Sequence, residues 1–142
     1  MDRPPAQVLH ASCVAFGQRG VLILGSSGAG KSALALNLMA LGAELVADDR
    51  VALHNDDSNL LASAPPGLPP LIEARGIGLL NARLLDRASV VLVVDLGQTE
   101  TDRLPPRRHI TLMNHALEVV HGPVSGHFAA AIRHYILMGR KD

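Results

Sequence analysis

The chain has 142 residues, enough for one domain that buries roughly two-thirds of its unfolded surface, and its thirteen basic residues balance its thirteen acidic ones. With no basic block, no Trp, one Tyr and two Phe, it is not expected to bind nucleic acid, and no apolar run nears the ~20 residues that cross a bilayer. The lone Cys13 has no disulfide partner, and the start Met1-Asp2-Arg3-Pro4-Pro5 lacks an apolar signal region, so a cytoplasmic protein with an aliphatic core is expected.

After the Pro4-Pro5 lead-in, Gln7 to Phe16 reads as a strand, Gly17 to Gly20 as a turn and Gly20 to Leu24 as a second, buried strand, giving a hairpin. His10 lies on the first strand, where a solitary histidine is more often a solvated or core residue than a catalytic one. The segment Gly25-Ser26-Ser27-Gly28-Ala29-Gly30-Lys31-Ser32 then fits the phosphate-binding pattern G-x-x-x-x-G-K-[ST] at every fixed position. A strand precedes it and helix formers follow, which is the context the pattern requires. Its glycines let backbone N–H groups close on phosphate oxygens, and the helix beginning at Lys31 adds the positive end of its dipole. Lys31 is placed to reach the phosphates and Ser32 to offer its hydroxyl to Mg²⁺.

The helix is expected to stop near Leu41-Gly42. Glu44 to Ala47 reads as a strand ending in Asp48-Asp49-Arg50, and adjacent carboxylates on extended chain point to opposite faces, so only one should face the loop. Val51 to His54 resumes as a strand, His54 to Asn59 is a polar turn, and Leu60 to Ala64 completes a second hairpin. Pro65 to Pro70 cannot be regular structure. In Leu71 to Leu80, Glu73 sits among apolar neighbours, a placement that a metal ion or a partner such as Arg75 would explain.

Ser89 to Val94 is the most apolar strand and ends in Asp95, which competes with Asp48, Asp49 and Glu73 as a Mg²⁺ ligand. Gln98 to Arg108 is polar, broken by proline, and gathers Arg103, Arg107 and Arg108; one of these could meet a phosphoryl group. Ile110 to Val120 reads as extended. Beyond Gly122-Pro123, Ser125 to Met138 reads as a closing helix with Phe128, Ala131, Ile132, Tyr135 and Ile136 along its apolar side.

Read together, His10, the phosphate loop, Leu45-Val-Ala-Asp-Asp-Arg-Val51, Glu73-Ala-Arg-Gly-Ile-Gly78 and Thr101-Asp-Arg-Leu104 resemble, in order, the catalytic domain of the bacterial HPr kinase/phosphorylase family. The resemblance implies an α/β fold of the phosphoenolpyruvate-carboxykinase type: a phosphate-loop domain with a mixed sheet that carries hairpins. It implies transfer of the γ-phosphoryl of ATP, with Mg²⁺, to a serine of HPr. Carried over by residue, it makes Lys31 the phosphate-contacting lysine, Ser32 and Glu73 the metal ligands and Asp49 the proton acceptor, with His10 and Arg103 at two further active-site positions. It ranks Asp49 and Glu73 above Asp95.

The chain also departs from the family. Nothing corresponds to the extra N-terminal domain of longer members, so residues 1–142 are expected to form one catalytic domain, similar to the short alphaproteobacterial members. Ala74 and Asn81 replace Ile and Asp of the family signature, and the late Pro-Gly-Arg-Asn segment is not recognisable in His121 to His127. The kinase direction is therefore the expected one, and the phosphorylase direction stays open. The family further implies a homo-oligomer. Two other readings remain at this point: a nucleotide-binding regulatory module without transferase activity, and a small-molecule kinase using the same loop.

Overall fold

The computed structural model describes residues 7–142; the Pro4-Pro5 lead-in lies outside them. Eleven strands and two helices follow in chain order among the described residues: β1 (Gln7–Leu9), β2 (Ala11–Phe16), β3 (Arg19–Leu24), α1 (Lys31–Ala40), β4 (Glu44–Ala47), β5 (Val51–Asp56), β6 (Asn59–Ser63), β7 (Leu71–Ala74), β8 (Gly78–Asn81), β9 (Ala88–Thr99), β10 (Arg108–Leu112), β11 (His115–Gly122) and α2 (Phe128–Met138). Nine strands form one mixed sheet, and β7 and β8 form a separate hairpin. The path β1-β5-β6-β9-β3-β2-β4 is antiparallel except where β9 runs parallel to β3; β11 also runs parallel to β9 and carries β10 on its far side.

Both faces of this sheet are covered. On one, the sheet curls around its own aliphatic cluster, with Cys13, Leu22, Val46, Leu53, Leu60, Val93 and Leu117 all buried. On the other, Val14, Val21, Ile23, Leu92 and Val94 pack with Leu34 and Leu38 of α1 and with Ile132 and Ile136 of α2. Strands covered on both faces carry apolar residues at every position, which is why all six residues of β2 are buried. The Cys13 thiol lies in this interior, and burial pushes it up to about 12.

Helix α1 buries Lys31, Leu34, Ala35 and Leu38, positions that share one face at 3.6 residues per turn. It ends as expected. Gly42 at φ +109 allows its own N–H to reach Met39 O and the Ala43 N–H to reach Leu38 O, a paired closure that satisfies the last carbonyls.

Several boundaries differ from the sequence reading. The first strand breaks at His10, splitting it between two partners, β5 and the pair β3/β4. Strand β5 runs through His54 to Asp56, and the turn is only Asp57-Ser58. Strand β9 continues past Asp95 to Thr99 because β11 pairs along it. Ile110 to Val120 is a hairpin, not one strand: Met113 and Asn114 both take positive φ and reverse the chain. Helix α2 begins three residues later than expected, and Ala131 is exposed, while Ala129 packs inward with Ile132 and Ile136.

The C-terminal residues are tied to the segment before β10. Arg107 donates to both oxygens of Glu118, each at 2.9 Å, and to the carbonyl of Asp142; Tyr135 donates to the same Glu118. Arg108 grips Glu100 with two N–H groups, both at 3.0 Å. That guanidinium, helped by the N–H groups of Asp102 and Thr101, holds the Glu100 carboxyl down from 4.5 to about 2. The carboxylate is favoured by folding, so its contribution to stability is present above about pH 4.5 and is lost as the pH falls toward about 2. Glu100→Gln should therefore lower the melting temperature at neutral pH and flatten its acid limb. Melting followed by circular dichroism from pH 7 to pH 2.5 measures both, and coincident curves would show that the pair contributes nothing.

Candidate functional site

The phosphate loop leaves β3 at Leu24 and enters α1 at Lys31, so the buried strand and the buried stripe of α1 fix both its ends. Gly30 stands at φ +99, in the left-handed region that favours glycine. Gly25 is confined differently: a Cβ there would lie 3.0 Å from Ala29 Cβ and 3.2 Å from Leu96 Cβ. Lys31 is 7% exposed, and its ammonium donates to the carbonyls of Gly25 at 2.7 Å and Ser26 at 3.0 Å. An ammonium has three donors, so one more is left for an anion above the loop. Open N–H groups, the helix start and this cation give the loop the chemistry of an anion site.

A cleft of about 210 Å³ opens beside the loop. His10, Ser12, Ser27, Gly28, Gly30, Lys31, Ser32, Asp49, Glu73 and Arg75 are among its lining residues. A second hollow continues from it past Asp48, Asp49, Arg50, Leu68, Leu71 and Glu73. The structure thus brings His10, Lys31, Ser32, Asp49 and Glu73 to one place.

The expectation that only one of Asp48 and Asp49 faces the loop is corrected. Two local departures from extended chain turn both toward it. The β2–β4 register shifts between Cys13, opposite Ala47, and Val14, opposite Leu45, leaving Val46 as an extra residue. Val46 and Ala47 consequently both face the curled-sheet cluster, and Asp48 swings to the α1 side. Asp49 then bends at φ +74.

Asp48 is 7% exposed and accepts from three elements. Ser12 Oγ of β2 donates to its Oδ1 at 2.7 Å, Ser32 Oγ of α1 donates at 2.8 and 3.0 Å, and the Glu73 N–H of β7 donates to Oδ2 at 3.2 Å. Asp49 is the open carboxylate, its side chain 64% exposed. His10 Nε2 donates to Asp49 Oδ1 at 2.9 Å, and the Ala11 N–H donates to Asp49 O at 3.2 Å. A fixed, buried acid and a free, oriented acid therefore stand side by side.

Two other expected residues lie elsewhere. Asp95 accepts from the Gly97 N–H at 2.9 Å and lines neither hollow. Arg103 is exposed on the segment between Glu100 and Arg107, whose ends are held by the ion pairs already described, and it lines neither hollow. The arginine of the cleft is Arg75, in the β7–β8 turn, whose Nη2 lies 3.9 Å from the position of a Cβ on Gly28. The sequence reading had considered Arg75 only as a partner for Glu73. Ser12 carries no signal of its own in the sequence pattern, although it lines the same cleft as His10.

The donor set fits Mg²⁺. Among the described residues no three of His, Cys, Asp or Glu converge as a metal cage. Mg²⁺ does not need one, because it keeps several waters and takes one or two carboxylates beside phosphate oxygens. The Ser32 hydroxyl gives its proton to Asp48, so its lone pairs are free for a cation, and Glu73 lines the same cleft.

Residues 4–124 match the family model described as HPr Serine kinase C-terminal domain. The chain is 42% identical over 88 residues to HPr kinase/phosphorylase 1 of Oceanobacillus iheyensis, an overlap of 61% of this chain and 28% of that protein. It is 42% identical over 107 residues to HPr kinase/phosphorylase of Listeria welshimeri, covering 70% of this chain and 34% of the relative. It therefore spans about a third or less of the length of these relatives. The fold is similar to that of the Hpr(Ser) kinase/phosphatase from Coxiella burnetii, with a TM-score of 0.75, 24% identity, and coverage of 91% of this chain and 90% of that one.

The loop geometry separates two kinds of glycine. Gly25→Ala should meet Ala29 and Leu96 and destabilise the fold by about 1–3 kcal/mol. Gly30→Ala meets nothing within 4 Å and should cost only left-handed strain, about 1–2 kcal/mol. Urea unfolding of both variants measures the difference.

Proposed function

The chain belongs to the HPr serine kinase C-terminal domain family, and from that premise we propose that it transfers the γ-phosphoryl of ATP, with Mg²⁺, to a serine of the phosphocarrier HPr. The observation that carries the reading is the meeting of Lys31 and the open carboxylate of Asp49 on one cleft. An acceptor hydroxyl must lose its proton as it attacks, and an exposed carboxylate within hydrogen-bond reach can take it. His10 orients that carboxylate through its 2.9 Å bond to Oδ1, while Oδ2 stands 3.9 Å from Arg50 Nε, beyond hydrogen-bond distance.

The loop N–H groups and Lys31 would hold the phosphates in place, and Arg75 would offer its guanidinium from the β7–β8 turn. Ser32, kept in orientation by Asp48, and Glu73 would hold Mg²⁺, which when bound neutralises charge on the phosphoryl oxygens. Arg75 supports this reading better than Arg103 because it lines the cleft. In the reverse direction Asp49, once protonated, could return its proton to a departing serine oxygen, so one side chain would serve both.

The reading treats residues 1–142 as one catalytic domain acting in the cytoplasm, where a single free thiol is ordinary. No helix of the described residues is long and apolar enough to cross a membrane. It also includes self-association, which the partly exposed Leu41 and Leu137, lining one hollow with Phe16, support.

Incubation with HPr and ATP labelled in its γ-phosphoryl should label HPr on serine. Lys31→Ala and Asp49→Asn, each verified as folded by its melting curve, should reduce the rate by a factor of roughly 100 or more. Labelling unchanged by both substitutions would overturn the proposal. Tight nucleotide binding with no transfer would identify a regulatory module instead.

A further inference from the structure

The bond from Ser12 to Asp48 has no part in the transfer chemistry just described, yet it is made by a hydroxyl with no exposed surface. Ser12 continues the face of β2 that carries Val14 and Phe16 toward α1, and it lines the cleft together with His10, which stands at the break before β2. The strand register continues from the Cys13–Ala47 pair to place Ser12 opposite Asp48, and the backbone bond from Ala11 to Asp49 follows the same step. The start of β2 thus holds the acidic bend at three points: His10 on the Asp49 carboxylate, Ala11 on the Asp49 carbonyl, and Ser12 on the Asp48 carboxylate.

We infer that Ser12 is a positioning residue for the cation site: by donating to Asp48 it fixes the carboxylate that in turn orients the Ser32 hydroxyl toward Mg²⁺. The inference rests on the phosphotransfer reading for the identity of the cation and of the nucleotide that binds beside it. A carboxylate turns easily about its last torsion, which is broad and two-fold. Ser32 and the Glu73 N–H approach Asp48 from the cleft side, and Ser32 shares its proton between both oxygens at 2.8 and 3.0 Å. A donor from β2 at 2.7 Å, shorter than either, fixes the plane of the carboxylate and so where the Ser32 lone pairs point. Partners behind a metal ligand commonly change metal affinity 10- to 100-fold when removed.

The test uses the whole chain, a non-hydrolysable ATP analogue and Mg²⁺, with nucleotide affinity measured by calorimetry across a Mg²⁺ series and in EDTA. Ser12→Ala should raise the Mg²⁺ concentration for half-maximal enhancement of binding about ten-fold while leaving affinity in EDTA within two-fold of wild type. Ser12→Thr, which restores a hydroxyl, should recover most of the loss. Ser12→Val has nearly the same volume as Ser12→Thr without the hydroxyl, so a ten-fold difference in Mg²⁺ dependence between them would support the inference even if Ser12→Ala folds poorly.

Equal Mg²⁺ dependence in all variants would overturn it. So would a parallel loss of binding in EDTA, which marks a merely structural hydroxyl. A wild-type chain that shows the Mg²⁺ enhancement but labels no HPr would remove the substrate assignment and leave the role of Ser12 standing.

Discussion

One buried carboxylate joins the parts of this site. Asp48 takes hydrogen bonds from a strand, a helix and the separate β7–β8 hairpin, through Ser12, Ser32 and the Glu73 backbone. A carboxylate out of water is costly unless its oxygens are satisfied, and here both oxygens accept hydrogen bonds. The consequence is geometric. Wherever Asp48 sits, the start of α1, the edge of β7 and the start of β2 must sit with it, and these elements carry Lys31, Glu73 and His10.

The rest of the sheet serves to make that placement rigid. The phosphate loop is suspended between β3, whose neighbours β2 and β9 pair along its whole length, and α1, whose apolar stripe reaches both core strands and α2. Lys31 belongs to that same stripe. Its stem is buried by the spacing that buries Leu34, Ala35 and Leu38, and only its ammonium emerges, at the loop carbonyls. The anion site is therefore an extension of helix packing.

The two neighbouring aspartates show how two backbone irregularities, a register shift and a bend, give adjacent residues different surroundings. Asp48 is enclosed and tied, suited to hold other groups still; Asp49 is open and held at one oxygen, suited to exchange a proton with something arriving from solvent. With regular pairing and extended chain throughout, Asp48 would face the aliphatic cluster; the extra residue at Val46 turns it to the α1 side, and the bend at Asp49 brings the second carboxylate to the same cleft. Ordinary strand geometry cannot supply both roles from adjacent residues.

Local chemistry made much of this readable from the chain. The loop pattern between strand and helix, the stop at Gly42 and most strands follow from spacing, glycine placement and aliphatic runs, all of which act over a few residues. The ordered resemblance from His10 to Leu104 singles out Asp49 and Glu73, and both line the cleft. What the sequence could not decide depends on pairing between distant segments. The shifted register of β2 on β4 turned Asp48 inward, the β7–β8 turn brought Arg75 to the loop, and Arg103 lies exposed on a segment that lines neither hollow. Ser12 was hidden for the same reason: a small hydroxyl in an apolar strand has no signal of its own until the strand opposite supplies its partner.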